Sequence, residues 1–340
     1  MRIGILTGGG DCAGLNQAIR AAVLRSLDFG NECLGILEGW RGLIEGKSQP
    51  LGLKEVEGIV ERSGTILGTS RVNPYKEEKG VERVKENMKK WSLGALIAMG
   101  GEDTLGVAEK LFAEGVKIVG VPKTMDNDLS ATDYTFGFDS SATRAMEAAS
   151  ALIDTGSSHR RVMILEVMGR HAGWVALFTG IASGADWILI PERKPEIKKM
   201  VNHIKDVHRR KNYALLVASE GVTLPALKVG EEEKDKFGHM ILKKRKVGET
   251  LSKLIEKETG LETRVSVIGH MQRGGVPSLF DRILATRCGA KAAELIQEGK
   301  FGQMVALRGN EIVEVSLKEA VAKLKLVDEA WWSLAKVFFK

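Results

Sequence analysis

Short apolar runs rich in β-branched residues alternate along the chain with longer stretches whose apolar positions recur at helical spacing. That alternation predicts βα units around a largely parallel sheet. The run "RIGIL" predicts a first buried strand, "GGGD" its turn, and "LNQAIRAAVLRSL" a helix with an apolar face. "CLGIL", "ALIAMG", "KIVGV", "RVMILEV", "WILI", "ALLVAS" and "RVSVIGH" predict further strands. Nearly every run passes directly into a glycine or a charged residue at its C-terminal end, where open α/β sheets bind ligands. Two seams interrupt the rhythm. Near residue 139, "FGFDSSATRAMEAASALI" opens a long helix after a small-residue loop. At 223–250, a stretch rich in lysine and glutamate precedes and enters the helix "ETLSKLIEKETG".

The 340 residues suffice for two domains, or for one large α/β unit with discontinuous lobes. Hydrophobic content of 44% and charged content of 28% are ordinary for a soluble protein. No apolar run approaches the roughly 20 residues that span a bilayer. The opening "MRIGILTGGGD" reaches glycines and an aspartate too early for a signal peptide, so a cytoplasmic location with no membrane partner is expected. Cys12, Cys33 and Cys288 are far apart and odd in number, which argues against a disulfide framework or a zinc site. The net charge of +6 suits nucleic acid or a pocket for polyanionic small molecules. The main basic cluster, "KKRK", follows the acidic "EEEKDK", and aromatics are only 6% of residues, so an exposed hairpin or insertion is expected there and no nucleic-acid partner.

Four loops carry candidate phosphate chemistry. "GGGDCAG", Gly8 to Gly14 and including Gly9 and Gly10, follows a strand, opens a helix and matches G-x-G-x-x-A, with Glu38 near the end of the next strand. Alone it would suggest a nicotinamide-dependent dehydrogenase, yet such a turn serves any phosphate through backbone N–H groups and the positive helix end. "SGTILGTSR" offers glycines, hydroxyls and then Arg71. "GGEDTLG" places Gly101 before Glu102, Asp103 and Thr104, so negative charge stands where an anion would bind. In "VGVPKTMDNDLS" a buried strand ends in Pro122 and delivers Lys123, Thr124, Asp126 and Asp128. On an extended segment Thr124, Asp126 and Asp128 share one side, so the two carboxylates can share a metal ion or divide the work of base and ligand. Lys123 beside them makes a charge-dense site suited to phosphoryl transfer. Further on, "EVMGRHAGW", "ASEGV" and "ETRVSVIGHMQRGG", with Arg161, Arg170, Arg264, His270 and Arg273 at or near strand ends, suggest a second anion pocket for the phosphate of an organic substrate.

Taken in order from about residue 2 to residue 300, the six stretches "GGGDCAGLN", "GGEDT", "PKTMDND", "SSHRRVMILEVMGRHAGW", "SEGV" and "ETRVSVIGHMQRGG" resemble the 6-phosphofructokinase family. The resemblance implies an α/β fold of two Rossmann-like lobes, with mostly parallel sheets flanked by helices. Residues 1–139 with about 251–302 would form the phosphoryl-donor lobe, and 140–250 with about 303–340 the sugar-phosphate lobe. It implies transfer of a phosphoryl group to the 1-hydroxyl of fructose 6-phosphate, with Mg2+ as cofactor. Asp126 is then the general base, and Asp128 helps position metal and substrate. Thr124 contacts the moving phosphoryl group or a sugar hydroxyl, and Arg170 offsets transition-state charge alongside Met168 and Gly169. Glu220 holds sugar hydroxyls, Arg161, Arg264, His270 and Arg273 clasp the 6-phosphate, and Glu102 serves the metal. Gly9, Gly10, Arg71, Gly101, Asp103, Thr104 and Lys123 form the donor side. Some of the family's arginines reach across from a neighbouring subunit, so a homodimer or homotetramer is implied.

ATP-using members usually have glycine where Asp103 stands, which lets the nucleotide's α-phosphate approach the backbone. Asp103 fills that space and adds like-charge repulsion of roughly 1 to 4 kcal/mol for unit charges about 4 Å apart. Pyrophosphate does not need the room. Lysine at position 123 points the same way, so the chain most resembles the pyrophosphate-dependent branch, which runs in either direction. An ATP-dependent phosphofructokinase and an enzyme accepting sedoheptulose 7-phosphate are the alternatives.

Overall fold

In a computed structural model the run "RIGIL" becomes β1 (Arg2–Thr7), whose residues after the first are all buried, the signature of a parallel strand covered on both faces. The structure describes residues 1–225 and 246–339. The chain continues through α1 (Leu15–Asp28), β2 (Glu32–Ile36), α2 (Trp40–Glu45), β3 (Ser48–Leu51), α3 (Gly80–Lys90), β4 (Leu93–Gly100), α4 (Glu102–Ala113) and β5 (Ile118–Pro122). After α5 (Phe138–His159) come β6 (Val162–Val167), α6 (Trp174–Ser183), β7 (Trp187–Leu189), α7 (Ile197–Lys211), β8 (Ala214–Ser219), α8 (Val247–Thr259) and β9 (Thr263–Val267). The last elements are α9 (Leu279–Gln297), β10 (Gln303–Arg308), β11 (Glu311–Ser316), α10 (Leu317–Ala320) and α11 (Glu329–Lys336). No helix among the described residues is long and apolar enough to cross a membrane.

The chain divides into two units. The first holds Met1–Ser140 and Arg273–Leu324; the second holds, among the described residues, 141–225, 246–272 and 325–339. The first break lies one residue from the seam expected at 139. The later boundaries differ from those expected. Residues 251–272 fall in the second unit because β9 pairs in parallel with β6, Met163 opposite Arg264. Residues 303–324 fall in the first because β10 pairs in parallel with β5, Gln303 opposite Val119. The expected hairpin or insertion at 223–250 lies mostly outside the described residues.

The first unit has a seven-stranded sheet in the order β11-β10-β5-β4-β1-β2-β3. It is parallel except at its edges, where β3 and β11 run antiparallel to their neighbours. Alternate side chains of its central strands supply two cores. Ile3, Ile5, Ile97 and Met99 meet Leu15, Ile19, Leu284 and Cys288 of α1 and α9. Leu6, Leu96 and Ala98 meet Trp40, Val84, Leu105 and Leu111 of α2, α3 and α4. Each such large apolar side chain contributes about 1.5–3 kcal/mol when removed from water. The second unit has a fully parallel sheet, order β7-β8-β6-β9, with α7 and α8 over one face. Within each unit the motif loops leave adjacent strands at the same C-terminal edge: those after β1, β4 and β5 in the first, and those after β6, β8 and β9 in the second.

Candidate active site

In the first unit three loops converge on Lys123, whose side chain is only 3% exposed. Its Nζ donates to the Gly10 carbonyl at 2.5 Å. Arg273 NH1 donates to the next carbonyl, Asp11, at 2.7 Å, and Thr69 Oγ1 donates to the Gly9 carbonyl at 2.7 Å. The N–H groups of Gly8 and Gly9 bond to the carbonyls of Met99 and Ser70 at 2.9 and 3.1 Å. Those two N–H groups are thus engaged within the protein, and two basic side chains, Lys123 and Arg273, reach the carbonyls of the same loop. Gly9 has φ of 79°, in the left-handed region. A Cβ on Gly10 would stand 2.6 Å from Arg273 NH1, so the guanidinium uses the room that glycine leaves and would have to shift for a larger residue. Burial lowers the pKa of Lys123, helped by the Arg273 charge and opposed by Asp11 and Asp128. Cys12, in the same turn, is pushed up by burial to about 12 and stays a thiol at neutral pH.

The stretch "SGTILGTSR" is laced to this turn. Thr7 and Thr65 share a hydrogen bond at 3.0 Å, Thr7 Oγ1 donates to the Gly68 carbonyl at 2.8 Å, and Ser70 Oγ donates to the Glu38 carbonyl at 2.6 Å. Arg71 ends this loop and is exposed. Glu38 forms an ion pair with Arg41 at 3.5 Å.

Glu102 and Asp103 occupy the first turn of α4, capped by Gly101. Carboxylates there are favoured by the helix dipole, about 0.3–1 kcal/mol each, and they place their own charge on an end that otherwise attracts phosphate. Thr104 is wedged between two loops: a Cβ on Gly8 would lie 2.4 Å from its Oγ1 and one on Gly100 2.3 Å from its Cβ. At 2% exposure, its hydroxyl is packed into the loop junction.

After β5 the burial of residues 123–129 alternates. Lys123, Met125, Asn127 and Leu129 point inward, and Thr124, Asp126 and Asp128 are partly exposed. The expected shared side is present, but the segment bends instead of running straight. The Asp126 N–H donates to Thr124 Oγ1 at 3.1 Å. Asn127 adopts φ of 51° and accepts the Thr135 N–H at 3.1 Å. The bend leaves Oδ1 of Asp126 and Oδ1 of Asp128 buried without a hydrogen-bond partner. Burial, with the Asp126 charge and a smaller push from Glu102, raises the Asp128 pKa to about 7; a hydrogen bond from Thr124 opposes this. Among the described residues no three His, Cys, Asp or Glu side chains are close enough to form a metal site by themselves. Mg2+ is commonly held by one or two carboxylates together with substrate phosphates and water. Two orphaned carboxylate oxygens with a third acidic group nearby fit that hard cation.

In the second unit Met168, Gly169 and Arg170 leave β6 beside the Ser219–Gly221 turn that leaves β8. The Glu220 N–H donates to the Val167 carbonyl at 2.9 Å and Gly221 N–H to the Gly169 carbonyl at 3.1 Å. Arg170 and Glu220 are partly buried, and His270, in the 3-10 turn Gly269–Arg273 after β9, is exposed. Arg161 and Arg264 are placed elsewhere. They stand at the beginnings of β6 and β9, and both pair with Glu262, Arg161 Nε at 2.9 Å. The 6 residues of β6, Val162–Val167, lie between Arg161 and Met168, a separation of roughly 23 Å at about 3.3 Å per residue step. Of the four residues expected to clasp the 6-phosphate, Arg161 and Arg264 thus sit at the opposite sheet edge from His270, and Arg273 sits against the Gly10–Asp11 turn. Sequence reasoning missed Ser219 and Gln272, which lie inside "ASEGV" and "GHMQRGG" but carry no charge to draw attention.

A family model described as phosphofructokinase matches residues 2–296. The chain belongs to the phosphofructokinase family. It is 50% identical over 343 residues to the pyrophosphate–fructose 6-phosphate 1-phosphotransferase of Dictyoglomus thermophilum, covering 100% of this chain and 99% of that one. It is 46% identical over 340 residues to ATP-dependent 6-phosphofructokinase 3 of Streptomyces coelicolor, covering 99% of each. Its fold is similar to that of Pichia pastoris phosphofructokinase in the T-state, with a TM-score of 0.81 and 31% identity. That match covers 99% of this chain and 36% of the yeast one, so the chain spans about a third of the yeast chain's length.

Proposed function

We propose that this phosphofructokinase-family protein transfers a phosphoryl group from pyrophosphate to the 1-hydroxyl of fructose 6-phosphate, giving fructose 1,6-bisphosphate and orthophosphate. The observation that carries the choice of donor is the pair Asp103 in the first turn of α4 and Lys123 buried at the Gly10 carbonyl. The carboxylate stands where a longer nucleotide would bring its α-phosphate, and the ammonium offers a short anion a direct partner. The higher identity to the pyrophosphate-using relative than to the ATP-using one supports the same choice.

Asp126 takes the proton of the sugar's 1-hydroxyl. The freed oxygen forms a bond to the near phosphorus of pyrophosphate, the P–O–P bond breaks, and its electron pair leaves with orthophosphate. A positioned base contributes about 10²- to 10⁴-fold. Most of the remaining acceleration is alignment and charge neutralisation. Lys123 and Arg273 supply charge on the donor side and Arg170 on the moving group. Thr124 holds Asp126 in place through its N–H and contacts the reacting oxygens. Gly9, Gly10, Gly101 and Thr104 shape the donor loops, and Arg71 stands at their rim. Met168, Gly169, Glu220 and His270 orient the sugar phosphate. Mg2+ fits Glu102 and Asp128, with Asp126 adjoining; when bound it neutralises charge on the donor's oxygens. The protein works as a cytoplasmic homo-oligomer in which Arg161 and Arg264 serve the 6-phosphate of a neighbouring subunit, because in their own chain they lie at the far edge of the sheet.

The reverse reaction tests the reading. Fructose 1,6-bisphosphate and orthophosphate, with Mg2+ and no nucleotide, are expected to yield pyrophosphate and fructose 6-phosphate. Absence of pyrophosphate formation, with ADP instead yielding ATP, overturns it.

A further inference from the structure

The turn bearing Met168–Arg170 is joined to the turn bearing His270 through an uncharged, buried side chain, and to the Glu220 turn through separate hydrogen bonds. Gln272, 2% exposed, lies in the same 3-10 turn as His270. Its Oε1 accepts the Met168 N–H at 2.7 Å, and its Nε2 donates to Ser141 Oγ at 3.0 Å. A backbone N–H only donates, so the amide oxygen must face Met168, and the amide nitrogen then faces the serine hydroxyl. On the other side Ser219 Oγ donates to the Gly169 carbonyl at 2.5 Å, an oxygen that also accepts the Gly221 N–H. Gly169 has φ of 143°, and a Cβ there would stand 2.9 Å from both the Ala172 carbonyl and Ser219 Oγ. A Cβ on Gly221 would come within 2.2 Å of the Arg170 carbonyl. The turn is gripped from two sides, and Arg170 follows Gly169 directly within it.

We propose that Gln272 is a positioning residue for phosphoryl transfer. By holding the Met168 N–H it sets the line along which Arg170 meets the moving group, and it ties that setting to the turn bearing His270. The inference rests on the reading of Arg170 given under the proposed function. A displacement of about 1 Å at such a group costs on the order of 10²-fold in rate.

The test uses the full-length protein and the change Gln272→Met, which keeps volume and burial but offers no comparable acceptor. In the wild-type background kcat is expected to fall about 10- to 100-fold, with KM for pyrophosphate changed less than about twofold. In an Arg170→Ala background the same change is expected to lower kcat by less than about threefold, because the group it aims is gone. Hydrogen exchange is expected to speed up at the Met168 amide and stay unchanged across β1, β4 and β5. An equal loss in both backgrounds, an unchanged kcat, or an unaltered Met168 amide overturns the inference. If Gln272→Met does not fold, Gln272→Glu, which keeps an acceptor for Met168, takes its place and is expected to preserve Met168 protection; loss of that protection overturns the inference. Wild-type protein that does not turn over pyrophosphate and fructose 6-phosphate refutes the functional reading instead, and the exchange experiment still decides whether Gln272 holds the turn.

Discussion

Asp103 and Lys123 carry the choice of donor, and each makes a separate demand. Asp103→Gly removes repulsion of roughly 1 to 4 kcal/mol, so the kcat/KM for ATP is expected to rise about 5- to 1000-fold, read from initial rates with each donor. The same change puts glycine in the first turn of α4 and removes a charge favoured by the helix dipole, so thermal stability is expected to fall by about 1–2 kcal/mol. Lys123→Met keeps the buried stem and removes the cation. Charge-assisted hydrogen bonds are worth about 1.5–3 kcal/mol, so kcat/KM for pyrophosphate is expected to drop about 10- to 100-fold while KM for fructose 6-phosphate stays within about twofold. At this scale the sequence was informative for the charged residues after β5, where Asp128 lies within electrostatic reach of both Asp126 and Lys123, and misleading for Arg161 and Arg264, whose charges pair with Glu262 at the other sheet edge. It was silent on Gln272 and Ser219, because a buried amide and a buried hydroxyl acquire meaning only from neighbours distant in sequence.

At the scale of elements, the N-terminus of α5 meets a buried carboxylate. Asp281, in the first turn of α9, accepts hydrogen bonds from the Ser140 N–H at 2.8 Å and the Ser140 hydroxyl at 2.6 Å. Burial raises its pKa from 3.8 to about 6, against those hydrogen bonds. The folded protein therefore binds this proton more tightly than the unfolded chain. The contribution is fully present below pH about 3.8 and is lost as pH rises through about 6, a change of at most about 3 kcal/mol. Asp281→Asn is expected to flatten that part of the stability curve, measured by denaturant unfolding between pH 4 and 7 in steps of about one unit. The strands ending in motifs were legible because parallel strands buried on both faces read as apolar runs. The strands towards the two edges were not: β3 contains Pro50 and is only 4 residues long, and β10 and β11 join the sheet through a pairing of β10 with β5 far away in sequence.

For the whole molecule, the same long-range pairings explain why the later unit boundaries were misplaced while the two-lobed α/β plan was read correctly. Nothing local in residues 251–272 or 303–324 reveals whether they join β6 or β5. The placement of Arg161 and Arg264 at the far edge of the second sheet makes the assembly testable. Mixed oligomers of Asp126→Asn and Arg264→Ala subunits, each weak alone, are expected to recover a substantial fraction of activity after dissociation and reassociation, because some sites then combine an intact base with an intact neighbouring arginine; no recovery would mean that Arg264 acts within its own chain. The central claim is tested most directly by initial rates of fructose 6-phosphate phosphorylation with Mg2+ and either pyrophosphate or ATP. The expected result is a kcat/KM for pyrophosphate at least about tenfold above that for ATP, in line with a repulsion of 1.4 kcal/mol or more. Equal or faster use of ATP would contradict the account.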